Sequence, residues 1–132
     1  DFRILNERSQ VERYPLPRID QAIEELAGKA WFSALDIKSA FWQIRLGDPD
    51  DEKARERIQN LTAFATPWGQ YRWKRMPMGL HSSPSTWQRT INRTFQALLW
   101  RCLVAYIDDV LIYSRTWDDH IKHLHLVFDM AR

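Results

Sequence analysis

Apolar positions along the chain keep two rhythms, one helical and one alternating, and together they divide it into elements. Ile19, Ala22, Ile23, Leu26 and Ala27 recur at helical spacing and predict a helix stopped by Gly28. The rigid, extended stretch Tyr14-Pro15-Leu16-Pro17 delivers the chain into it. Trp31 to Ile37 reads as a buried strand whose end carries a lone acid, Asp36. Gly47 to Glu56 is acidic and turn-rich and reads as a loop. Strands over Leu61–Thr66 and Gln70–Met76 follow, joined through Pro67-Trp68-Gly69 as a hairpin. Ser83 as N-cap and Pro84 in the first turn open a second helix, with Trp87, Ile91, Phe95, Leu98 and Leu99 on one face. Two short runs, Cys102–Ile107 and Val110–Tyr113, are rich in β-branched and aromatic residues and predict a second hairpin. Thr116-Trp117-Asp118-Asp119 fits a capping box for a last helix marked by Ile121, Leu124, Val127 and Phe128. The order helix, strand, hairpin, helix, hairpin, helix predicts an α/β (α+β) fold with antiparallel pairing, not a doubly wound nucleotide-binding sheet.

Composition narrows the class. At 132 residues, 45% hydrophobic and 27% charged, the chain is one domain's worth with a real core. Its single cysteine, Cys102, lies in an apolar run, which predicts packing and leaves no intrachain disulfide. No apolar run is long enough to span a bilayer, and no signal-peptide pattern opens the chain. The start at Asp1 rather than Met reads as a piece of something longer. The net charge of +2 conceals an asymmetry, because no Asp or Glu occurs from Arg57 to Arg101. That stretch mixes Arg57, Arg72, Lys74, Arg75, Arg89, Arg93 and Arg101 with Phe64, Trp68, Tyr71, Trp73, Trp87, Phe95 and Trp100. Such a mixture suits a phosphate backbone with stackable bases; a solvated basic face over an aromatic core is the other reading.

The chemistry centres on Asp108 and Asp109, adjacent acids at the tip of the second predicted hairpin. Side-by-side carboxylates repel unless a cation sits between them, and hard oxygen ligands suit magnesium. Asp36 is the natural third partner: if its strand lies beside the hairpin, three carboxylates converge. Such a set would hold two ions roughly 3.5–4 Å apart for an in-line displacement at phosphorus. Against this, Asp36 reads equally as a helix N-cap and the pair as turn formers. Hairpin turns usually recruit glycine, however, and this one has none. His120, His123 and His125 read as a solvated helix face, and Ser82, Ser83 and Ser85 lack the glycines of a nucleophile elbow. Gly79 is a turn, or a place where backbone approaches a ligand.

Taken together, these segments resemble the reverse transcriptase of gypsy-type long-terminal-repeat retrotransposons. Tyr106-Ile107-Asp108-Asp109 matches the family's Tyr-x-Asp-Asp box, and Leu35-Asp36-Ile37-Lys38-Ser39-Ala40-Phe41-Trp42-Gln43-Ile44 matches its first aspartate motif. Asp1-Phe2-Arg3-Ile4-Leu5-Asn6, Tyr14 to Asp20, Thr62-Ala63-Phe64, Met76-Pro77-Met78-Gly79-Leu80, Ser83-Pro84 and Val110 to Ser114 also fit, in the family's order. The resemblance implies a polymerase palm, an antiparallel sheet packed on helices, with part of the fingers: an incomplete right hand. Residues near 17–43 and 83–132 would be palm, and 1–16 and 44–82 fingers.

The resemblance further implies RNA-directed DNA synthesis from deoxynucleoside triphosphates on an RNA or DNA template-primer. Two Mg2+ ions, or Mn2+ in their place, would be held by Asp36, Asp108, Asp109 and the backbone of Ile37. Lys38, Ser39, Ala40, Phe41, Met78 and Gly79 would border the incoming nucleotide, with Phe41 as the aromatic gate against a ribose 2′-hydroxyl. Arg3, Pro84, Gln88, Tyr106 and Ile107 would lie along template and primer. Met78 stands where the family more often has phenylalanine or glutamine, and Ile58-Gln59-Asn60-Leu61 looks like a small insertion. Basic fingers strands upstream, and a thumb and RNase H downstream, would be partners in a Pol polyprotein acting in a cytoplasmic particle, with nuclear delivery of the product. The rival readings are a non-catalytic remnant that at most binds nucleic acid or a partner, and another palm-type enzyme such as a nucleotide cyclase.

Overall fold

A computed structural model describes residues 1–10 and 13–132. The chain divides into two compact units, each assembled from two segments. One, the sheet unit, comprises Tyr14–Lys38 and Ser85–Arg132; the other, the helix–hairpin unit, comprises Asp1–Arg13 and Ser39–Pro84.

The sheet unit contains three antiparallel strands in the order β1-β5-β4, with β1 at Trp31–Asp36, β4 at Leu103–Tyr106 and β5 at Asp109–Ser114. Register pairs Trp31 with Ser114 at one end of β1 and Asp36 with Asp109 at the other. Helix α2 (Ile19–Leu26) precedes β1, α4 (Ser83–Thr94) precedes the β4-β5 hairpin, and α5 (Trp117–Met130) follows it. Side chains alternate across a sheet, so Trp31, Ser33, Leu35, Val110, Ile112 and Ser114 share one face. That face meets α5: Trp31 packs on Trp117 with ring centroids 4.9 Å apart, and Ser33 and Ser114 bond His120. Asp36 and Asp109 therefore belong to the face turned away from α5. The core gathers Trp87, Ile91, Phe95 and Leu98 with Cys102, Leu103, Val104, Ala105, Val110, Ile112 and Val127, all buried.

Helix α5 starts as its sequence predicts. The Thr116 hydroxyl accepts the Asp119 amide at 3.2 Å and donates to the Asp119 carboxylate at 2.8 Å. This bond, with help from Lys122 and His123, holds the Asp119 carboxyl below its ordinary range. Three sequence expectations change, two in this unit and one at the start of α4. Strand β1 is not buried: as an edge strand it leaves Trp31, Phe32, Ala34 and Asp36 exposed. His120 is not on a solvated face; it is 2% exposed, with Nε2 2.8 Å from Ser33 Oγ and Nδ1 3.0 Å from Ser114 Oγ. Ser83 lies inside α4 rather than capping it, and its hydroxyl donates to the Pro77 carbonyl at 3.1 Å.

The helix–hairpin unit holds α1 (Arg3–Arg8), a 3-10 turn (Ala40–Gln43), α3 (Glu52–Asn60) and a short hairpin of β2 (Phe64–Thr66) and β3 (Gly69–Tyr71). Helix α3 occupies much of what reads as an acidic loop. It lacks an apolar stripe, which hides it from periodicity, but Asp51 caps it by accepting the Ala54 amide at 2.9 Å. The hairpin is shorter than the pattern suggests, because Trp73 leaves the ladder and donates its amide to the Thr62 hydroxyl at 3.0 Å. Trp42, Trp73, Phe64 and Tyr71 form a chain of ring contacts with centroids 6.1–6.2 Å apart. No described helix is long and apolar enough to cross a membrane.

Candidate active site

The β1-β5 register sets the centre of the site. Asp36 and Asp109 are directly opposed across the last pair of the ladder, on one face and exposed to solvent. Like charges at such a pair destabilise the sheet. Among the described residues neither these acids nor Asp108 has a basic or hydrogen-bonding side chain as partner. Asp108 occupies the turn between Tyr106 and Asp109, and its carbonyl accepts the Ile37 amide at 2.8 Å. The tip of the hairpin is thus fastened to the end of β1 through backbone.

That turn is strained. Ile107 has φ +52°, a conformation costly for a β-branched side chain. Two consecutive residues of α4 hold it. The Trp87 indole N–H donates to the Ile107 carbonyl at 2.8 Å, and the Ile107 amide donates to Gln88 Oε1 at 2.8 Å. Gln88 Nε2 donates in turn to the Ala105 carbonyl and to Asn92 Oδ1, both at 2.9 Å. The Asn92 amide reaches the Tyr14 hydroxyl at 3.0 Å. Expected along template or primer, Gln88 instead has no exposed surface and is engaged beneath the turn. The sequence places Trp87 on an apolar helix face and in the basic–aromatic stretch but not beneath the turn; the signal for that role was a glycine-free hairpin tip that needed external support.

The expected convergence of three carboxylates is not found. Among the described residues, no group of three or more His, Cys, Asp or Glu side chains is placed to hold a metal ion. The register brings together two, Asp36 and Asp109, while Asp108 belongs to the turn. Tyr106, 40% exposed, pairs with Asp109 across β4-β5. Ile37 uses its amide on Asp108, and Lys38 ends the sheet unit.

Most of the remaining expected residues lie in the helix–hairpin unit. Ser39 adopts the left-handed conformation (φ 55°, ψ 40°) ahead of the 3-10 turn, where Ala40 is buried and Phe41 half-buried. Met78 is 66% exposed beside Gly79, whose φ of +93° suits glycine. Helix α1 is tied to this turn: Asn6 donates to the Gly79 carbonyl at 2.8 Å and accepts the His81 amide at 3.0 Å. Arg3, on the same helix, pairs with Asp1. Pro84 stands in the first turn of α4.

The sequence model for reverse transcriptase (RNA-dependent DNA polymerase) matches residues 1–132, the whole chain. The chain belongs to the reverse transcriptase family. It is 35% identical over 127 residues to the retrovirus-related Pol polyprotein from transposon gypsy of Drosophila melanogaster, covering 96% of this chain and 12% of that protein. An RNA-directed DNA polymerase homolog of Oenothera berteroana is 33% identical over 130 residues, with 96% of this chain and 86% of that protein covered. The fold matches a foamy viral protease-reverse transcriptase in complex with RNA/DNA hybrid. There the TM-score is 0.81 at 22% identity, over 98% of this chain and 16% of that one. The reverse transcriptase segment spans less than a fifth of the length of the polyproteins it resembles.

Proposed function

We infer that the chain is the catalytic core of an RNA-directed DNA polymerase and that Asp36 and Asp109 are its metal-holding pair. The observation that carries this reading is the in-register pairing of two exposed carboxylates with no basic partner among the described residues. An all-oxygen donor set of this kind fits Mg2+, which takes one or two carboxylates and completes its shell with water and substrate phosphates. A bound Mg2+ pair supplies charge neutralisation at the α-phosphate and at the departing pyrophosphate.

The chain's own groups do the positioning. Asp109 is fixed by pairing on both sides, to Asp36 and to Tyr106, so its carboxylate is presented by the central strand. Asp108 supplies a further carboxylate from the turn, whose backbone Trp87 and Gln88 hold. The exposed ring of Tyr106 offers an apolar rest for the primer end. Phe41, at the head of the 3-10 turn, serves as the gate against a 2′-hydroxyl, with Ser39, Ala40, Met78 and Gly79 bordering the nucleotide. In this reading residues near 17–43 and 83–132 are palm, and 1–16 and 44–82 are part of the fingers.

The test has two readouts. Asp36→Asn and Asp109→Asn are expected to stay folded and lose Mn2+ binding, measured by water proton relaxation. Asp108→Asn is expected to abolish primer extension on an RNA template in the polymerase that carries this segment. Undiminished Mn2+ affinity in both variants, or undiminished extension in the third, rejects the assignment. Phe41→Ala is expected to raise ribonucleotide incorporation. An unchanged deoxy-to-ribo ratio rejects the gate.

A further inference from the structure

The helix–hairpin unit contains a second like-charge pair, of the opposite sign. Arg45 and Arg75 face each other across an isolated antiparallel bridge, flanked by Leu46 N–H to Lys74 O at 3.1 Å and Met76 N–H to Ile44 O at 2.9 Å. Opposed residues of an antiparallel bridge project to the same side, so two guanidinium stems start side by side. Both residues line a surface pocket of about 530 Å3, together with Arg55, Arg72 and Lys74. The pocket's two carboxylates are already engaged. Glu56 meets Arg72 at 3.0 Å, and Glu52 meets Arg55 at 3.8 Å. Arg72 also donates to Asn60, and Arg75 donates one nitrogen to the Gln43 carbonyl at 2.7 Å. Arg45 and Lys74 have no side-chain partner among the described residues.

We propose that this pocket is a phosphate-binding site, with Arg45, Lys74 and Arg75 as its cations. Three positive charges without a carboxylate converge on one concavity, and two belong to guanidinium groups, whose planar forks match phosphate oxygens. A bound phosphate turns the repulsion across the Arg45–Arg75 bridge into a shared attraction, much as a cation would for Asp36 and Asp109. The phosphate comes either from a nucleic-acid backbone or from a free phosphate compound; both present the same group. None of the three acids lines the pocket, and the site does not depend on the catalytic reading.

The experiment is thermal unfolding of the chain in increasing inorganic phosphate, against chloride and acetate at matched ionic strength. Four proteins are compared: wild type, Arg45→Gln, Lys74→Gln and, as a charge control outside the pocket, Arg57→Gln. Phosphate is expected to raise the melting temperature of wild type and Arg57→Gln alike. Arg45→Gln and Lys74→Gln should need about tenfold more phosphate for the same rise, the loss of one charge-assisted bond. Without phosphate, Arg45→Gln should melt no lower than wild type, because repulsion is relieved. If Arg45→Gln does not fold, Lys74→Gln carries the comparison. An equal response of all four proteins, or acetate acting as well as phosphate, overturns the proposal. Displacement of phosphate by an RNA/DNA hybrid assigns the site to backbone phosphate; a hybrid that leaves the phosphate response intact assigns it to a free phosphate compound.

Discussion

Replacing Gln88 with methionine tests the support beneath the Ile107 turn most directly. Methionine fills nearly the same volume, so packing changes little and the loss is polar. Three hydrogen bonds disappear, to the Ile107 amide at 2.8 Å and to the Ala105 carbonyl and Asn92 at 2.9 Å. Asn92 is half-buried and can turn to water, but Gln88 and Ala105 have no exposure, so the Ala105 carbonyl is cut off from solvent and the amide of half-buried Ile107 partly so. A buried polar group left unpartnered costs about 1–3 kcal/mol and a half-buried one about 1–2 kcal/mol, which puts Gln88→Met at about 2–5 kcal/mol. With a urea slope of about 1–3 kcal/mol per molar, the unfolding midpoint should fall by on the order of 1–2 M. Amide exchange at Ile107 should quicken more than at its neighbours. Trp87→Phe keeps the ring, loses only the indole donor, and should cost about 1 kcal/mol. The double variant should cost less than the sum, because both side chains hold one residue. A Gln88→Met loss below about 0.5 kcal/mol, with unchanged exchange at Ile107, would refute the idea that α4 holds the turn.

Three further outcomes follow from other features. The Tyr113 hydroxyl is buried without a partner among the described residues, and burial, with Glu25 and Cys102 nearby, pushes its pKa up to about 12. The unfolded tyrosine ionises near 10, so between about pH 10 and 12 the unfolded state binds fewer protons and stability falls. Tyr113→Phe should remove that fall in alkaline denaturation curves and add about 1 kcal/mol at neutral pH; a steeper alkaline loss would contradict it. Asp109→Asn should stabilise the metal-free chain by about 0.5 kcal/mol at low salt, and the gain should shrink as salt screens Asp36; a gain independent of salt would disprove repulsion as its cause. Ser39→Gly should raise stability by up to about 1 kcal/mol, since Ser39 pays for a left-handed backbone with no capping bond, and a lowered urea midpoint would speak against it.

What could be read from the sequence was local. The β4-β5 hairpin, the Thr116 cap and the packing of Cys102 follow from strand propensity, capping chemistry and an apolar neighbourhood, all within a few residues. What escaped was long-range or unpatterned. His120 is buried because Ser33, 87 residues earlier, closes its ring nitrogen, and nothing beside His120 announces that partner. Helix α3 has only Ala54 and Ile58 as apolar residues and is opened by the Asp51 cap, so hydrophobic rhythm cannot find it. Helix α1 is short, with no buried residue, and is tied to the Gly79 turn by Asn6 across 73 positions. In the site, the motif names all three acids, but only register shows that Asp36 faces Asp109 while Asp108 occupies the turn.

The register of β1 against β5 has a further consequence, for folding. The ladder that opposes Asp36 to Asp109 is also the one that turns Leu35 and Ser33 toward α5. A slip by one residue would turn every β1 side chain over. Leu35 would go out to water, Phe32 would press where Ser33 meets His120, and the two acids would part. The pairing of the acids and the contact of Ser33 with His120 are therefore formed or lost together. A β1 edge docked correctly on α5 is thereby also an edge whose acids stand in register.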